Sequence, residues 1–322
     1  MLVFFALVLL PLLLMLLFVF QPGPFQRSCR IEIRSGQSLP QVARELERHQ
    51  VVRNALAFRL LARLRGDSRL LQAGSYQFDP PLTPLQVLDK LVRGEVELVR
   101  CTLPEGLTAV ETVERLVEAG LGRRERFLAC LSDPDFLHQL KVSAATLEGY
   151  LFPETYAFAA GTPEAAVLET LVRQLFAKLD ESLRQALAQR KLTLHQALTL
   201  ASIVQKEAGC VEEMPRIAAV FHNRLARHMP LQADPTVIYG LKDFDGNLTR
   251  AHLRMDTPYN TYLHAGLPPG PIANPGLAAL RAVLFPADES FLYFVAMGNG
   301  RHHFSRTLQE HNRAVRTYQL HR

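Results

Sequence analysis

The pattern of apolar and polar positions divides the chain into stretches of different texture. Residues 1–20, "MLVFFALVLLPLLLMLLFVF", carry no charge and no period, and about twenty apolar residues suffice to cross a bilayer as a helix. The run is longer than the apolar region of a secretion signal, and "QPGPFQRSC" after it offers no small-x-small cleavage site. A retained transmembrane helix over residues 1–21 is therefore expected, followed by a linker over 22–29 marked by Pro and Gly.

Beyond residue 30 the pattern becomes amphipathic. "RIEIRSGQSLPQVARELERHQVV" reads as strand, turn and helix. Ser38 and Gln41 have capping-box spacing, with Val42 and Leu46 at a helical interval. "NALAFRLLARLRG" predicts a second helix and "LLQAGSYQF" a strand pair or turn around Gly74. "TPLQVLDKLVRGE" predicts a helix with Thr83 as cap and Pro84 at its first position. The strand, turn and capped helix recur in "VELVRCTLPEGLTAVETVERLVEAG", where Thr108 and Glu111 repeat the spacing. Two small α+β units in tandem are expected.

From about residue 145 the texture changes again. "LEGYLFPETYAF" is aromatic and barely periodic. It is followed by one long helix over "TPEAAVLETLVRQLFAKLDESLRQALAQRK" and by the helices "TLHQALTLASIVQKEAG" and "EEMPRIAAVFHNRLARH". "DPTVIYGL" reads as a short helix, "TPYNTYLHAGLPPGPIANPG" as a long loop, and "LAALRAVLF" as a helix. "FLYFVAMGNGRHHFS" predicts a hairpin turning at Gly-Asn-Gly, before a last helix in "TLQEHNRAVRTYQL". The expected class is α+β and helix-rich. Loops this long inside a compact domain are functional or disordered, and the aromatic content speaks against disorder.

Composition narrows the partners. A chain of 322 residues with 48% apolar and 21% charged residues can bury a core in more than one domain. The net charge of +5 is spread over helices such as "RLLARLRGDSR" and "GRRERF" without a dense block, so no nucleic-acid partner is expected. Cys29, Cys101, Cys130 and Cys210 lie far apart with no CxxC, which excludes zinc ribbons and redox motifs. Arg27, Arg30 and Arg34 follow the apolar run while no basic residue precedes it. By the positive-inside rule the rest of the chain would stay in the cytoplasm.

The sharpest chemical signal is in "LASIVQKEAG". On a helix, Leu200, Ile203 and Val204 lie seven, four and three positions before Glu207 and share its face, whereas Gln205 and Lys206 do not. Burial and the negative end of the helix dipole both favour the protonated acid, with Gly209 expected to end the helix. A carboxyl that keeps its proton near neutral pH suits a general acid. Other groups stand near it in pattern rather than in sequence. Gln232 and Asp234 precede a helix, although Asp234 before Pro235 also fits an ordinary helix start. Asn260, Thr261 and Tyr262 offer amide and hydroxyl groups beside aromatic rings, a combination suited to acetamido sugars. Glu148 and Glu154 sit among Tyr150, Phe152 and Tyr156, where either could meet Glu207. His302 and His303 are consecutive on a strand and point to opposite faces, so a shared metal ion is not expected.

Taken together, "LEGYLFPETY", "ASIVQKEAG", "FHNRLARHMPLQADPTVIYG", "YNTYLHAGLPPGPIANPG" and "YFVAMGNGRHHFSRTLQEHN" resemble the endolytic murein transglycosylases of the YceG-like family. The likeness runs in order from about residue 30 to the C-terminus. It implies a LysM-like subdomain over 30–98, though a plain spacer fits that segment equally well, and a catalytic domain over 99–322. It also implies a single-pass inner-membrane anchor with the catalytic domain on the periplasmic side, against the charge rule. The substrate would be peptidoglycan glycan strands, cut internally to leave 1,6-anhydro-N-acetylmuramic acid ends. No cofactor or metal is implied, and peptidoglycan synthases are the implied protein partners. Residue by residue, the resemblance assigns the catalytic acid to Glu207 and cleft positions to Glu148, Gln232, Asp234, Asn260 and Tyr262. Many members carry a second glutamate where this chain has Gln205, so Glu207 is the one acid left in that helix. A glycan-binding protein without turnover and a hydrolase pairing Glu207 with Glu148 remain as alternatives.

Overall fold

The computed structural model describes residues 18–34 and 36–320. Most of the predicted anchor lies outside the described residues, and within them no helix is long and apolar enough to cross a membrane. The described residues fold into two units, one within residues 1–100 and 157–162 and one within residues 101–156 and 163–322. Among the described residues helices dominate and the strands pair two by two, an α+β arrangement.

In the smaller unit, β1 (Cys29–Ile33) pairs antiparallel with β2 (Gly74–Phe78), Ile31 opposite Tyr76. Between them run α1 (Leu39–Arg48) and α2 (Ala55–Leu64), and α3 (Pro84–Arg93) follows. The predicted caps form: Ser38 N–H donates to Gln41 Oε1 at 2.8 Å, and Thr83 N–H to Gln86 Oε1 at 2.8 Å. Val42, Leu46, Phe58, Tyr76, Phe78 and Leu88 close the core. Residues 22–29, expected as a linker, are mostly exposed but are tied to this unit at two points. Phe25 is buried in this core, and Gly23 N–H donates to Leu82 O at 3.0 Å.

The strands β3 (Leu98–Thr102) and β4 (Thr155–Ala159) form a second pair. The repeat of strand and capped helix does not build a separate small unit, since α4 (Ala109–Glu118) belongs to the larger one. There α5 (Arg124–Leu131) and α6 (Pro134–Gln139) precede β4. The long helix expected from residue 162 is two, α7 (Glu164–Lys178) and α8 (Glu181–Arg190). Asp180 interrupts it, because its carboxylate accepts the Leu183 N–H at 2.9 Å and so starts a new helix.

The centre of the larger unit is α9 (Leu194–Glu207), packed against α10 (Met214–Ala226), α11 (Asp234–Gly240) and α12 (Leu277–Leu284). A hairpin of β5 (Tyr293–Ala296) and β6 (His302–Ser305) turns through Gly298, Asn299 and Gly300. Both of these glycines have positive φ. α13 (Leu308–Val315) closes the fold.

Candidate active site

Helix α9 starts on a capping box. Thr193 N–H donates to Gln196 Oε1 at 2.9 Å, and Gln196 N–H donates back to Thr193 Oγ1 at 3.1 Å. Residues 197–204 are all buried, so the helix runs through the core, and each fully buried Leu, Ile or Val there contributes about 1.5–3 kcal/mol. Its two buried hydroxyls are satisfied by the helix itself, Thr199 on His195 O and Ser202 on Thr199 O. Three side chains of α9 also hold the long Pro/Gly loop. His195 Nε2 meets Pro269 O at 3.0 Å, Ser202 Oγ accepts from Ile272 N–H at 3.0 Å, and Gln205 Oε1 accepts from Gly276 N–H at 3.0 Å. Residues 270–276 are buried without regular structure, and these contacts help meet their polar groups.

Glu207 is the last residue of α9, with Ala208 already extended. The helix stops just before Gly209, as expected from the sequence, with Glu207 in its last turn, and Gly209 is not left-handed. A Cβ there would stand 2.2 Å from the carbonyl oxygen of Gly300, so the glycine admits the hairpin turn against its backbone.

Glu207 opens into a cavity of about 480 Å³ lined also by Arg224, Gln232, Asp234, Tyr262, Phe294, His302 and His311. Its carboxylate makes no hydrogen bond among the described residues. Burial chiefly, and the nearby charge of Asp234 next, raise its pKa to about 7, with Arg224 opposing. A half-protonated acid at neutral pH, facing a polar cavity, can give a proton and take one back.

Two loops joined by hydrogen bonds at Thr261 form another wall of the cavity. Gln232 N–H donates to Thr261 O at 3.1 Å, Ala233 N–H donates to Thr261 Oγ1 at 3.0 Å, and the Thr236 and Thr261 hydroxyls meet at 2.8 Å. Gln232 has φ of +51°, an uncommon conformation for a residue other than glycine, at the point where the loop enters the cavity. The Tyr262 hydroxyl donates to Asp234 Oδ1 at 2.5 Å. Asp234 does not cap α11, despite its position before Pro235. Burial first, then Asp234, raises the Tyr262 pKa, so the hydroxyl stays a donor.

Arg224, itself in the cavity lining, fixes this wall. It is 8% exposed, and its guanidinium donates to Leu292 O at 2.7 Å, Leu231 O at 2.8 Å and Gln232 Oε1 at 3.3 Å. The hairpin side is fixed by Glu213, whose carboxylate accepts from the His302 backbone at 3.0 Å and meets His302 Nδ1 at 2.9 Å. His303 faces elsewhere, near the ring of Tyr318.

Of the sequence-predicted site residues, Glu207, Gln232, Asp234 and Tyr262 line one cavity. Asn260 stands behind it, wholly buried, donating to Leu253 O and Met255 O and accepting from Tyr262 N–H at 3.0 Å. Glu148 is not part of the cavity lining. It accepts from Ala109 N–H at 2.9 Å and from the Tyr239 hydroxyl at 3.1 Å, bracing α4 against α11. Burial is the largest cause raising its pKa, also to about 7, against these hydrogen bonds. Glu154 is taken up by Gln174 and Lys178. Gln205 supports the loop at Gly276. Sequence reasoning missed Arg224, although Ile217, Phe221 and Arg224 share one helical face and an arginine on an apolar stripe was visible. It also missed Glu213 and His302 as partners, because nothing local links residues 89 positions apart. Among the described residues no group of His, Cys, Asp and Glu is placed to hold a metal ion, and all four cysteines are free.

The YceG-like family model matches residues 31–317. An endolytic murein transglycosylase of Bacillus subtilis is 33% identical over 89% of this chain and 84% of its own length. An endolytic murein transglycosylase of Streptococcus pneumoniae is 30% identical over 88% of this chain and 57% of its own length. A crystal structure of a YceG-like protein from Listeria monocytogenes superposes with a TM-score of 0.61 at 33% identity, covering 89% of this chain and 98% of that one. With the matched segment running through both units and the cavity at Glu207 within it, the chain belongs to the YceG-like family.

Proposed function

We propose that the chain is a peptidoglycan lytic transglycosylase that cuts inside glycan strands, at the β-1,4 bond from N-acetylmuramic acid to N-acetylglucosamine. The observation that carries the reading is Glu207: one carboxyl poised near pKa 7 in a polar cavity, with no hydrogen bond to any described residue. The names of the relatives, endolytic murein transglycosylases, supply the substrate class.

Ordinary glycosidases need two carboxyl groups, one of them a base or nucleophile. Here the C6 hydroxyl of the muramic residue attacks its own C1, a nucleophile already in place, which is worth a large effective molarity. Glu207 gives its proton to the departing glycosidic oxygen as that bond breaks. The resulting carboxylate then accepts the C6 hydroxyl proton as the 1,6-anhydro bridge closes, so the acid is regenerated and no water is consumed. Gln232, Asp234 and Tyr262 line the space in which the oxocarbenium-like sugar and its acetamido group would lie, with Asn260 holding Tyr262. The commitment of Glu148 to Ala109 and Tyr239 favours this single-acid reading over a hydrolase that pairs it with Glu207.

The N-terminal apolar run serves as a membrane anchor in this reading, with the site on the outer side where peptidoglycan lies. The smaller unit acts as a LysM-like glycan-facing module, and peptidoglycan synthases are partners of the whole protein. Mass analysis of the chain ends made from purified peptidoglycan tests the reaction. Anhydro ends, lighter than reducing ends by one water, are expected. Reducing ends would make the enzyme a hydrolase, and glycan retention without cleavage would make the protein an adaptor.

A further inference from the structure

Helix α2 buries one face and leaves a second apolar face bare. Ala55, Phe58, Leu61 and Ala62 enter the core of the smaller unit. On the other side Leu56, Leu60 and Leu64 are 70%, 49% and 67% exposed. Spaced by four, they form one stripe about 12 Å long at 1.5 Å per residue. Three open leucines in line are a patch that a water-facing helix does not need.

The residues around the stripe are basic. Five arginines and one aspartate lie between 53 and 70. Arg65 is neutralised by Asp67 at 2.9 Å and Asp89 at 2.7 Å. Arg53, Arg59, Arg63 and Arg69 make no ion pair among the described residues. Leucines on a helix flanked by free arginines match an element that lies in the plane of an anionic lipid surface, apolar face in and guanidinium groups at the phosphates.

The apolar N-terminal run arrives at the same place. Phe18 and Val19 pack on the core of this unit, while Phe20 is 64% exposed. Two residues on, Pro22 O accepts from Arg53 Nε at 3.3 Å, and a Cβ on Gly23 would lie 2.0 Å from Val51 O. Arg53 directly precedes Asn54, whose side chain caps α2 by accepting the Ala57 N–H at 3.0 Å. The exit of the apolar run and the start of the leucine stripe are thus fastened side by side.

From this we infer that α2 is a second membrane contact, its Leu56, Leu60 and Leu64 stripe seated in the headgroup region of an anionic bilayer beside the point where the apolar run leaves it. The inference rests on the proposed anchoring of residues 1–21. A span and an adjoining stripe that extends about 12 Å from it hold the smaller unit in one orientation on the surface, where a single span would leave it free to pivot.

The chain has no tryptophan, so a single one reports without background. Leu60→Trp and Phe20→Trp, each in the full chain in vesicles of phosphatidylglycerol and phosphatidylcholine with brominated acyl chains, separate the two claims. Both tryptophans are expected to lose most of their emission. The Leu60→Trp quenching is expected to weaken in purely zwitterionic vesicles and when Arg59 and Arg63 are changed to Gln. Quenching of Phe20→Trp without Leu60→Trp overturns the inference and leaves the anchor standing. If Leu60→Trp is unquenched by lipid yet shielded from aqueous acrylamide, a second copy or a protein covers the stripe, and the inference also fails. If neither is quenched, the anchor reading falls and takes the inference with it.

Discussion

The Tyr262 hydroxyl and the Asp234 carboxylate meet at 2.5 Å in the lining of the Glu207 cavity, and the charge of Asp234 is the second cause, after burial, that lifts the Glu207 pKa to about 7. Asp234 therefore tunes the acid without being hydrogen-bonded to it. Asp234→Asn removes that charge, so the pKa of Glu207 should fall. Glycan cleavage, which needs the protonated acid, should lose activity above about pH 7 in the native chain. In the variant this alkaline limb should move to lower pH. A pH profile of kcat for both proteins checks the shift.

Arg224 binds carbonyls of two segments that form the cavity wall, Leu231 and Leu292. Arg224→Met leaves those buried acceptors without donors, a cost of about 2–4 kcal/mol for lost charge-assisted bonds. At about 2–4 °C per kcal/mol in a unit of this size, thermal unfolding should show a drop of several degrees or more. Activity should fall with it, because Gln232 loses its anchor. Lysine at this position lacks the fork that reaches both carbonyls, so Arg224→Lys should recover little.

Glu148 and Glu207 both carry pKa values raised from 4.5 to about 7. For a raised carboxyl the folded state holds its proton more tightly than the unfolded one. The stabilisation is whole below about pH 4.5 and is lost as pH rises through about 7. Glu148→Gln keeps an acceptor for the Ala109 N–H and removes the charge. Its Tm, compared with the native chain, should therefore improve by a few degrees between pH 5 and pH 8. A Tm difference independent of pH would mean that Glu148 is not desolvated as described.

Gly209 stands two residues past the proposed acid, with the Gly300 carbonyl where a Cβ would go. Gly209→Ala should push the hairpin turn away and widen the cavity mouth. A loss of about 1–3 kcal/mol, typical of overpacking, is expected in chemical denaturation, together with reduced cleavage.

Much of this was legible along the chain wherever the cause was local. Thr83, Thr108 and Ser38 announce their helices by spacing alone, and Leu200, Ile203 and Val204 aim Glu207 at the core. Asp180 was equally local, yet its capping role was hidden inside a continuous helical pattern. What could not be read depends on distant partners. Glu148 looked like a cleft acid from its aromatic neighbours, but the amide of Ala109 and the hydroxyl of Tyr239, 91 positions away, claim it. Phe25 is a similar case: Pro and Gly around it signal a linker, while the core it joins is assembled from residues 31–91 further along the chain.

The most direct test is Glu207→Gln in the full chain, incubated with purified peptidoglycan beside the native protein, with circular dichroism to establish that the variant folds. The amide keeps the shape of the side chain and cannot donate an acidic proton. The native chain should release anhydro-ended fragments and the folded variant should release none. Cleavage by the folded variant at the native rate would contradict the account.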